Sequence, residues 1–132
     1  MTVAVAHQVS PTSRLALTSA AIEAQYRGTD LAVVHVTDSA LDADNAEAYR
    51  LGIADEIESV LGPDVEVEWK LHLRTSSREV GEQVLALADQ VGADLLVIGA
   101  RRRSPVGKAF LGSVAQTIIL QSAMPVLVVK SG

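Results

Sequence analysis

The sequence predicts a doubly wound α/β fold: one domain over residues 1–132, with a five-stranded, mostly parallel sheet and helices on both faces. Short apolar runs alternate with helical segments along the whole chain, which is the order of βαβ units with right-handed crossovers. Hydrophobic residues make up 48% of the chain and aromatic residues only 3%, so aliphatic side chains have to build the core. A sheet buried between two helical layers is typical of that composition.

The first strand and helix are predicted at the start of the chain. Residues 2–7 form an apolar run typical of a buried strand. Ser10 and Pro11 predict the helix start, because Ser is a favoured N-cap and Pro fits the first helical position. Gly28 predicts the helix end. The side chains that recur at helical spacing in between are Leu15, Ser19, Ile22 and Tyr26.

Two further strands flank the second helix. Residues 31–36 predict a strand that is apolar nearly throughout, and residues 42–61 predict a helix. Residues 65–73 alternate strictly between apolar and polar side chains, which predicts a strand with one wet face at an edge of the sheet. The apolar face of the second helix consists of Ala46, Tyr49, Ile53, Ile57 and Val60.

Strands and helices continue to alternate in the second half of the chain. Residues 76–79 and 113–116 each have the S-x-x-E/Q pattern of a capping box, so each predicts the start of a helix. Residues 94–99 predict a fully apolar strand, and residues 126–129 predict the last one after Pro125. The inner face of the third helix is predicted to consist of Val80, Val84, Leu87 and Val91.

The longest predicted loop, residues 99–113, has a composition that suits an anion. Gly99 and Gly112 allow close backbone approach, and the helix start at Ser113 offers unpaired N–H groups and the positive end of the helix dipole. The same features also fit turn glycines, a plain N-cap and a solvated or partner-binding surface, and these alternatives stay open. The cations of the loop, which can bind phosphate oxygens, are Arg101, Arg102, Arg103 and Lys108.

The residues that several other kinds of site require are absent from the sequence. There is no Cys for disulfides or thiolate ligands. The loop does not form a Walker motif, because Arg102 and Ala109 stand where that motif needs Gly and Ser or Thr. No G-x-G-x-x-G follows the first strand, so a dinucleotide site is not expected. His7, His35 and His72 lie on three predicted strands, where at most two can meet, and no carboxylate completes a metal site.

Charge and hydropathy narrow the function further. The net charge of −5 argues against nucleic-acid binding, and no apolar run approaches the ~20 residues of a membrane span. The first residues lack the pattern of a signal peptide, so a cytoplasmic protein is expected. No Asp or Glu occurs after Asp94, which leaves the long loop without a general base. We therefore expect a protein that is not an enzyme.

At the long loop the chain resembles the universal stress protein family. That family carries G-x2-G-x9-G-[ST] after its fourth strand. The corresponding residues here are Gly99, Arg102, Gly112 and Ser113, three of which match. The family's Asp-x-Ser near the first strand corresponds to residues 8–10. The segments VVHVTD, ADLLVIG and VAQTIILQSAMPVLVVK are similar to the family's second strand, fourth strand, and closing helix and strand, so the resemblance covers the whole chain.

The resemblance implies the strand order 3-2-1-4-5, a homodimer formed partly through the last strand from Val126 to Val129, and an adenine nucleotide of the ATP or AMP type as ligand. Two residues depart from the family pattern. Gln8 replaces an Asp, so little dependence on Mg²⁺ is expected, because an amide lacks the charge that attracts the ion. Arg102 replaces a Gly, where it either fills the phosphate site or binds the phosphates. The nucleotide-binding residues expected from the resemblance and the loop are Gln8, Ser10, Val36, Gly99, Arg101, Arg102, Arg103, Gly112, Ser113 and Val114.

Three functions are compatible with the sequence. The expected one is a nucleotide-binding regulator of a stress response without fast catalysis. The alternative is a nucleotide-free, dimeric interaction module that docks an acidic protein partner through its basic loop. A slow nucleotide hydrolase is the least supported, because no general base is placed beside the expected phosphates.

Overall fold

Strands and helices alternate through the computed structural model, which describes residues 1–8, 11–37, 43–63, 65–75, 79–102, 109–110 and 112–131. The element order confirms the α/β prediction. Their bounds are β1 Thr2–Ala6, α1 Pro11–Arg27, β2 Asp30–Thr37, α2 Ala43–Leu61, β3 Trp69–Thr75, α3 Val80–Gln90, β4 Leu95–Arg102, β5 Ala109–Phe110, α4 Ser113–Gln121 and β6 Val126–Ser131.

Five parallel strands form the sheet in the order β3-β2-β1-β4-β6, which is the predicted order 3-2-1-4-5. The two-residue strand β5, which the sequence did not predict, pairs antiparallel with the end of β4. The chain runs outward from β1 through β2 to β3, and then from β4 to β6 on the other side. The order therefore reverses between β1 and β4, and the carboxyl ends of these strands border the crevice where ligands bind in such sheets.

Two apolar layers hold the sheet between the helices. Alternate side chains of each strand point to opposite faces, so Val5 packs with α1 and α2 whereas its neighbour Ala4 packs with α3 and α4. Leu17 and Ile57 are fully buried in the first layer, and Ile118 is buried in the second. Both faces of the central strands are thus covered, as their continuous apolar runs predicted.

The strand bounds differ most from the prediction at β3 and β4. β3 lies at the sheet edge as expected, but it begins at Trp69 instead of residue 65. Glu68, just before it, still accepts a hydrogen bond from the Leu31 N–H at 2.9 Å. β4 continues to Arg102, so the backbone of Arg101 and Arg102 belongs to a strand and not to the predicted loop. The backbone of this extension pairs with β5 and β6. The pairing explains why β4 continues beyond its apolar residues.

Both predicted capping boxes are wrong in position. Glu79 is itself the N-cap of α3, and its carboxylate accepts hydrogen bonds from the N–H groups of Gly81 and Glu82. Ser76, its predicted partner, lies outside the described residues. At α4 the N-cap is Gly112, and Ser113 is already the first helical residue.

The spaced side chains that predicted α1 lie on its outer face. Leu15, Ile22 and Tyr26 are 48%, 42% and 85% exposed. The face toward the sheet is built largely from alanines, which let the helix approach the strands closely. The buried residues of α1 are Ser13, Ala16, Leu17, Ala20, Ala21 and Ala24.

None of the helices in the described part of the chain combines the length and apolar composition that crossing a membrane requires.

Candidate functional site

A cavity of about 400 Å³ opens at the carboxyl edge of the sheet, where the strand order reverses. Its lining comes from the ends of β1, β2 and β4, from the first turn of α1 and from the first two turns of α3 and α4. The deeper wall is apolar and includes Val80, Val84, Ile98 and Ile118. The volume and the mixture of an apolar wall with a few polar groups are typical of a small-molecule site.

Six of the ten residues expected at a nucleotide site line this cavity: Gln8, Val36, Gly99, Gly112, Ser113 and Val114. The backbone of Arg101 and Arg102 lies in β4, just beyond the cavity residue Ala100, and their side chains are outside the described part of the chain. Ser10 and Arg103 also lie outside the described residues. The cavity therefore gathers residues from both ends of the sequence.

The turn after β1 is closed by a side chain. The Ser13 hydroxyl accepts a hydrogen bond from the Gln8 backbone N–H at 2.6 Å, and Ser13 is buried. This bond ties the end of β1 to the first turn of α1. It therefore fixes the backbone that carries Gln8 at the cavity.

The two glycines of the family motif do different things. A Cβ atom on Gly99 would lie 2.5 Å from Thr12 Cγ2 and 2.7 Å from the Thr12 carbonyl oxygen, so this glycine is needed for the close packing of β4 against α1. The sequence suggested that Gly99 lets the backbone approach a ligand closely. The atoms nearest to it belong to Thr12, so they indicate a role in packing instead. A Cβ on Gly112 would meet no atom of the described residues within 4 Å, so it is at Gly112 that the cavity leaves space beside a glycine.

The helix starts at the cavity also differ. α3 begins beside cavity residue Val80 and is capped by the Glu79 carboxylate. α4 begins at Gly112, which has extended φ and ψ of −65° and 165° and supplies no side-chain cap. Within the described residues, the α4 start thus keeps N–H groups directed outward, together with the positive end of the helix dipole.

Two histidines meet beside the cavity. The Nδ1 atoms of His7 and His35 lie 3.0 Å apart, and His35 Nε2 lies 2.8 Å from the Tyr49 hydroxyl. The sequence predicts that at most two of the three histidines can meet but does not indicate which two. Periodicity assigns a face to each residue but not the register between strands, so the pairing of β1 with β2 was needed to bring the two rings together.

Burial keeps both rings neutral. His7 and His35 are 2% and 4% exposed. Burial lowers the pKa of His7 from 6.5 to about 4. The pKa of His35 is likewise lowered to about 4, mainly by burial and further by His7, with Glu56 opposing. Among the described residues no three His, Cys, Asp or Glu side chains cluster as metal ligands would.

Comparison with known proteins identifies the family. The sequence profile of the Universal stress protein family matches residues 1–130. A universal stress protein of Mycolicibacterium smegmatis is 37% identical over 130 residues, which cover 97% of this chain and 96% of that protein. The structure of a universal stress protein from Archaeoglobus fulgidus matches with a TM-score of 0.80 and 30% identity, covering 97% of each chain. The structure of the universal stress protein from that organism in complex with dAMP matches with a TM-score of 0.75 and 26% identity, covering 97% of this chain and 96% of the other. This chain therefore belongs to the universal stress protein family.

Proposed function

We propose that this protein binds an adenine nucleotide in the cavity and acts as a regulator of a stress response, not as an enzyme. The observation that carries the proposal is the contrast between the starts of α3 and α4, which face each other across the apolar wall of the cavity. The α3 start is occupied by the protein's own carboxylate, Glu79, whereas the α4 start at Gly112 has no side-chain cap. An anionic group entering the cavity is therefore directed to α4, where N–H groups and the helix dipole favour it.

The rest of the cavity suits a base and a ribose. Its wall between α3 and α4 is apolar, and no charged side chain lines the part that the structure describes. The amide of Gln8 both donates and accepts hydrogen bonds, so it can pair with a base edge or with ribose hydroxyls. A ligand with a neutral, flat body and an anionic end matches this division of the cavity.

A relative supports the choice of nucleotide. The Archaeoglobus fulgidus protein that was solved in complex with dAMP shares 26% identity with this chain over nearly its whole length. Adenosine monophosphate has a neutral base and ribose, which suit the apolar wall, and an anionic phosphate, which suits the α4 start. We therefore place AMP first among the ligands to be tested, followed by ATP.

The lining does not favour hydrolysis. Its described part contains no Asp or Glu, and the sequence has none after Asp94. The one histidine in the lining, His7, has its Nδ1 engaged by His35 and a pKa near 4, far below the value at which a general base works best at neutral pH. These features support binding without fast turnover.

We also propose that the protein is a homodimer that pairs through β6. The two edges of the sheet differ. At the β3 edge the Arg50 guanidinium donates a hydrogen bond to the Leu71 carbonyl at 3.2 Å, which occupies an outward backbone acceptor. β6 is short and apolar at the opposite edge, which makes it a template for pairing unless something covers it.

A thermal-shift screen tests the nucleotide proposal. AMP is expected to raise the melting temperature, because a ligand that binds only the folded state stabilises it. Adenosine and inorganic phosphate, each carrying half of the recognition, are expected to raise it less at the same concentration. No shift with AMP, ADP, ATP or cyclic AMP would contradict the proposal and favour the nucleotide-free interaction module.

A further inference from the structure

A carboxylate lies at the rim of the cavity, between the starts of α3 and α4. Glu79 accepts hydrogen bonds from the N–H groups of Gly81 at 3.1 Å and Glu82 at 3.2 Å, which hold its side chain over the start of α3. It directly precedes Val80, which lines the cavity, and it is exposed to solvent. Because the described lining contains no Asp or Glu, Glu79 brings a negative charge to the edge of a site that has none of its own.

Gly81 brings this carboxylate close to α4. A Cβ atom on Gly81 would lie 2.9 Å from Thr117 Cβ and Cγ2 and 3.1 Å from Glu79 Oε1. A residue without a side chain is therefore what allows α3 and α4 to approach each other here. Because the Thr117 side chain and the Glu79 carboxylate both lie around this one point, the charge that caps α3 is also a neighbour of α4.

The register of the two helices places the carboxylate beside the first turn of α4. Both helices follow parallel strands of one sheet and pack on the same face of it, so they run in the same direction. Gly81 is the second residue of α3, and Thr117 is the fifth of α4. Glu79, two residues before Gly81, is therefore level with Ala115 in the first turn of α4. Neighbouring helix axes lie about 8–10 Å apart, so the charge is close to the N–H groups proposed to hold the phosphate.

The N–H groups at the start of α4 suffice for one phosphate. The intrahelical ladder begins with the Gln116 N–H, which donates to the Gly112 carbonyl at 3.0 Å. The N–H groups of Ser113, Val114 and Ala115 precede that ladder and are directed toward an anion. The oxygens of a single phosphate can use them, so α4 has no further N–H groups to offer a second phosphate.

We propose that the charge of Glu79 makes the cavity selective for a nucleotide with one phosphate, so that AMP binds more tightly than ADP or ATP. This inference rests on the proposed function and names the class of ligand within it. Every further phosphate adds negative charge within about one Debye length of the carboxylate, roughly 10 Å, and like charges at that distance repel. The selectivity thus comes from a group that disfavours the wrong ligand and not from an extra contact with the right one.

Two substitutions that keep the cap but differ in charge test this inference. Glu79→Asp and Glu79→Ser both place a favoured N-cap residue at the start of α3, and only the first retains the negative charge. AMP, ADP and ATP are titrated by calorimetry without Mg²⁺, and unfolding midpoints check that each variant is folded. The wild type and Glu79→Asp are expected to bind AMP more tightly than ATP. In Glu79→Ser the ratio of ATP affinity to AMP affinity is expected to be about 3- to 10-fold higher than in Glu79→Asp. The basic residues of the long loop are the same in every variant, so the comparison isolates the charge at Glu79.

Glu82 provides the matched control for net charge. It is an exposed carboxylate in the same turn of α3, and it is turned about 100° around the helix from Gly81, the residue that faces α4. Glu82→Gln is expected to leave the ratio of ATP affinity to AMP affinity close to that of the wild type. Raising the salt concentration is expected to shrink the difference between Glu79→Ser and Glu79→Asp, because salt screens a repulsion between exposed charges.

The outcomes separate this inference from the proposed function. If AMP binds the wild type and the two Glu79 variants show the same ratio of ATP affinity to AMP affinity, the inference is wrong and the proposed function stands. Tighter binding of ATP than of AMP by the wild type, or an equal rise of the ratio in Glu82→Gln, would lead to the same conclusion. If the wild type binds no nucleotide at all, both are overturned.

Discussion

The Nδ1 atoms of His7 and His35 lie 3.0 Å apart in a part of the core that excludes water. The pair joins the ends of β1 and β2, and Tyr49 of α2 extends it by a further hydrogen bond. Neither ring can take up a second proton without placing a charge in a buried site beside the other. This relationship links the protonation of the pair to the stability of the fold.

Stability is therefore predicted to fall on mild acidification. In the folded protein the pKa values of His7 and His35 are about 4, below their ordinary value of 6.5. Between pH 4 and pH 6.5 these histidines are therefore protonated in the unfolded chain but neutral in the folded protein. The stabilisation is fully present above pH 6.5 and is lost as pH falls toward 4. Each histidine contributes a slope of up to about 1.4 kcal/mol per pH unit. His72, whose pKa is also lowered chiefly by burial, changes stability in the same direction.

Urea denaturation at pH 7, 6 and 5 measures this slope above the range in which most carboxylates titrate. The double variant His7→Phe, His35→Phe is the control, because it removes both paired rings and should reduce the dependence to the contribution of His72. An unfolding free energy that is the same at pH 7 and pH 5 in the wild type would show that the pair is not held neutral by burial.

The two motif glycines are predicted to respond differently to alanine. Gly99→Ala would place a methyl group against the Thr12 backbone and is expected to cost about 1–3 kcal/mol, as overpacking does. Gly112→Ala meets open space at a φ that any residue adopts and should cost under about 1 kcal/mol. Unfolding midpoints of the two variants give the comparison. Equal losses would mean that the close approach of β4 to α1 is not what requires Gly99.

Much of this architecture follows from local patterns, and the rest depends on packing between distant segments. The edge position of β3 and the reversal between β1 and β4 follow from one alternating strand and the βαβ order, together with the family resemblance. The outward stripe of Leu15, Ile22 and Tyr26 was not recognisable, because alanines on the opposite face of α1 give no stronger periodic signal. The sequence pattern likewise cannot show whether a Glu acts as N-cap or at the third helical position, as Glu79 illustrates.

The candidate site also combines features that local sequence patterns predict with features that depend on packing between distant segments. Gly112 and Ser113 of the motif after β4, and Val114 beside them, line the cavity. The apolar wall was missed as part of the site, because Val80 and Val84 read as ordinary core positions on α3. The contact between His7 and His35 depends on the register of β1 against β2, where Ala6 lies opposite Val34.

Nucleotide binding is predicted to need little Mg²⁺. The Gln8 amide at the cavity is uncharged and cannot attract the ion as a carboxylate does. Gln8→Ala should weaken binding about 2- to 12-fold through the loss of a neutral hydrogen bond, and Gln8→Asp should make binding more dependent on Mg²⁺. Calorimetric titration of ATP with and without Mg²⁺ compares the three proteins. An absolute requirement for Mg²⁺ in the wild type, or identical behaviour of all three, would remove this role from Gln8.

Dimerisation is predicted to depend on the outward backbone groups of β6. The Leu96 N–H donates to the Pro125 carbonyl, so strand alternation directs the N–H of Leu127 toward β4 and that of Val128 outward. Val128→Pro should therefore remove an outward donor while keeping the ladder with β4, and it should convert a dimer into a monomer. Light scattering at micromolar concentration reports the mass, and an unchanged unfolding midpoint of the monomer would confirm that the fold survives. A monomer mass for the wild type would contradict the dimer proposal directly.

The central claim, an adenine nucleotide whose phosphate lies at the uncapped start of α4, is tested most directly by calorimetric titration of AMP into the wild type, Gly112→Ala and Gly112→Val. Among the described residues nothing lies within 4 Å of a Cβ at Gly112, so Ala and Val differ chiefly in how much of the cavity they fill, and the unfolding midpoint of each variant checks that it is folded. We predict saturable binding of one AMP per wild-type chain and a modest effect of Ala. Val is predicted to reduce the affinity at least ~10-fold, the scale of losing one hydrogen bond to a charged group. Wild-type affinity in Gly112→Val would place the nucleotide elsewhere and contradict the account.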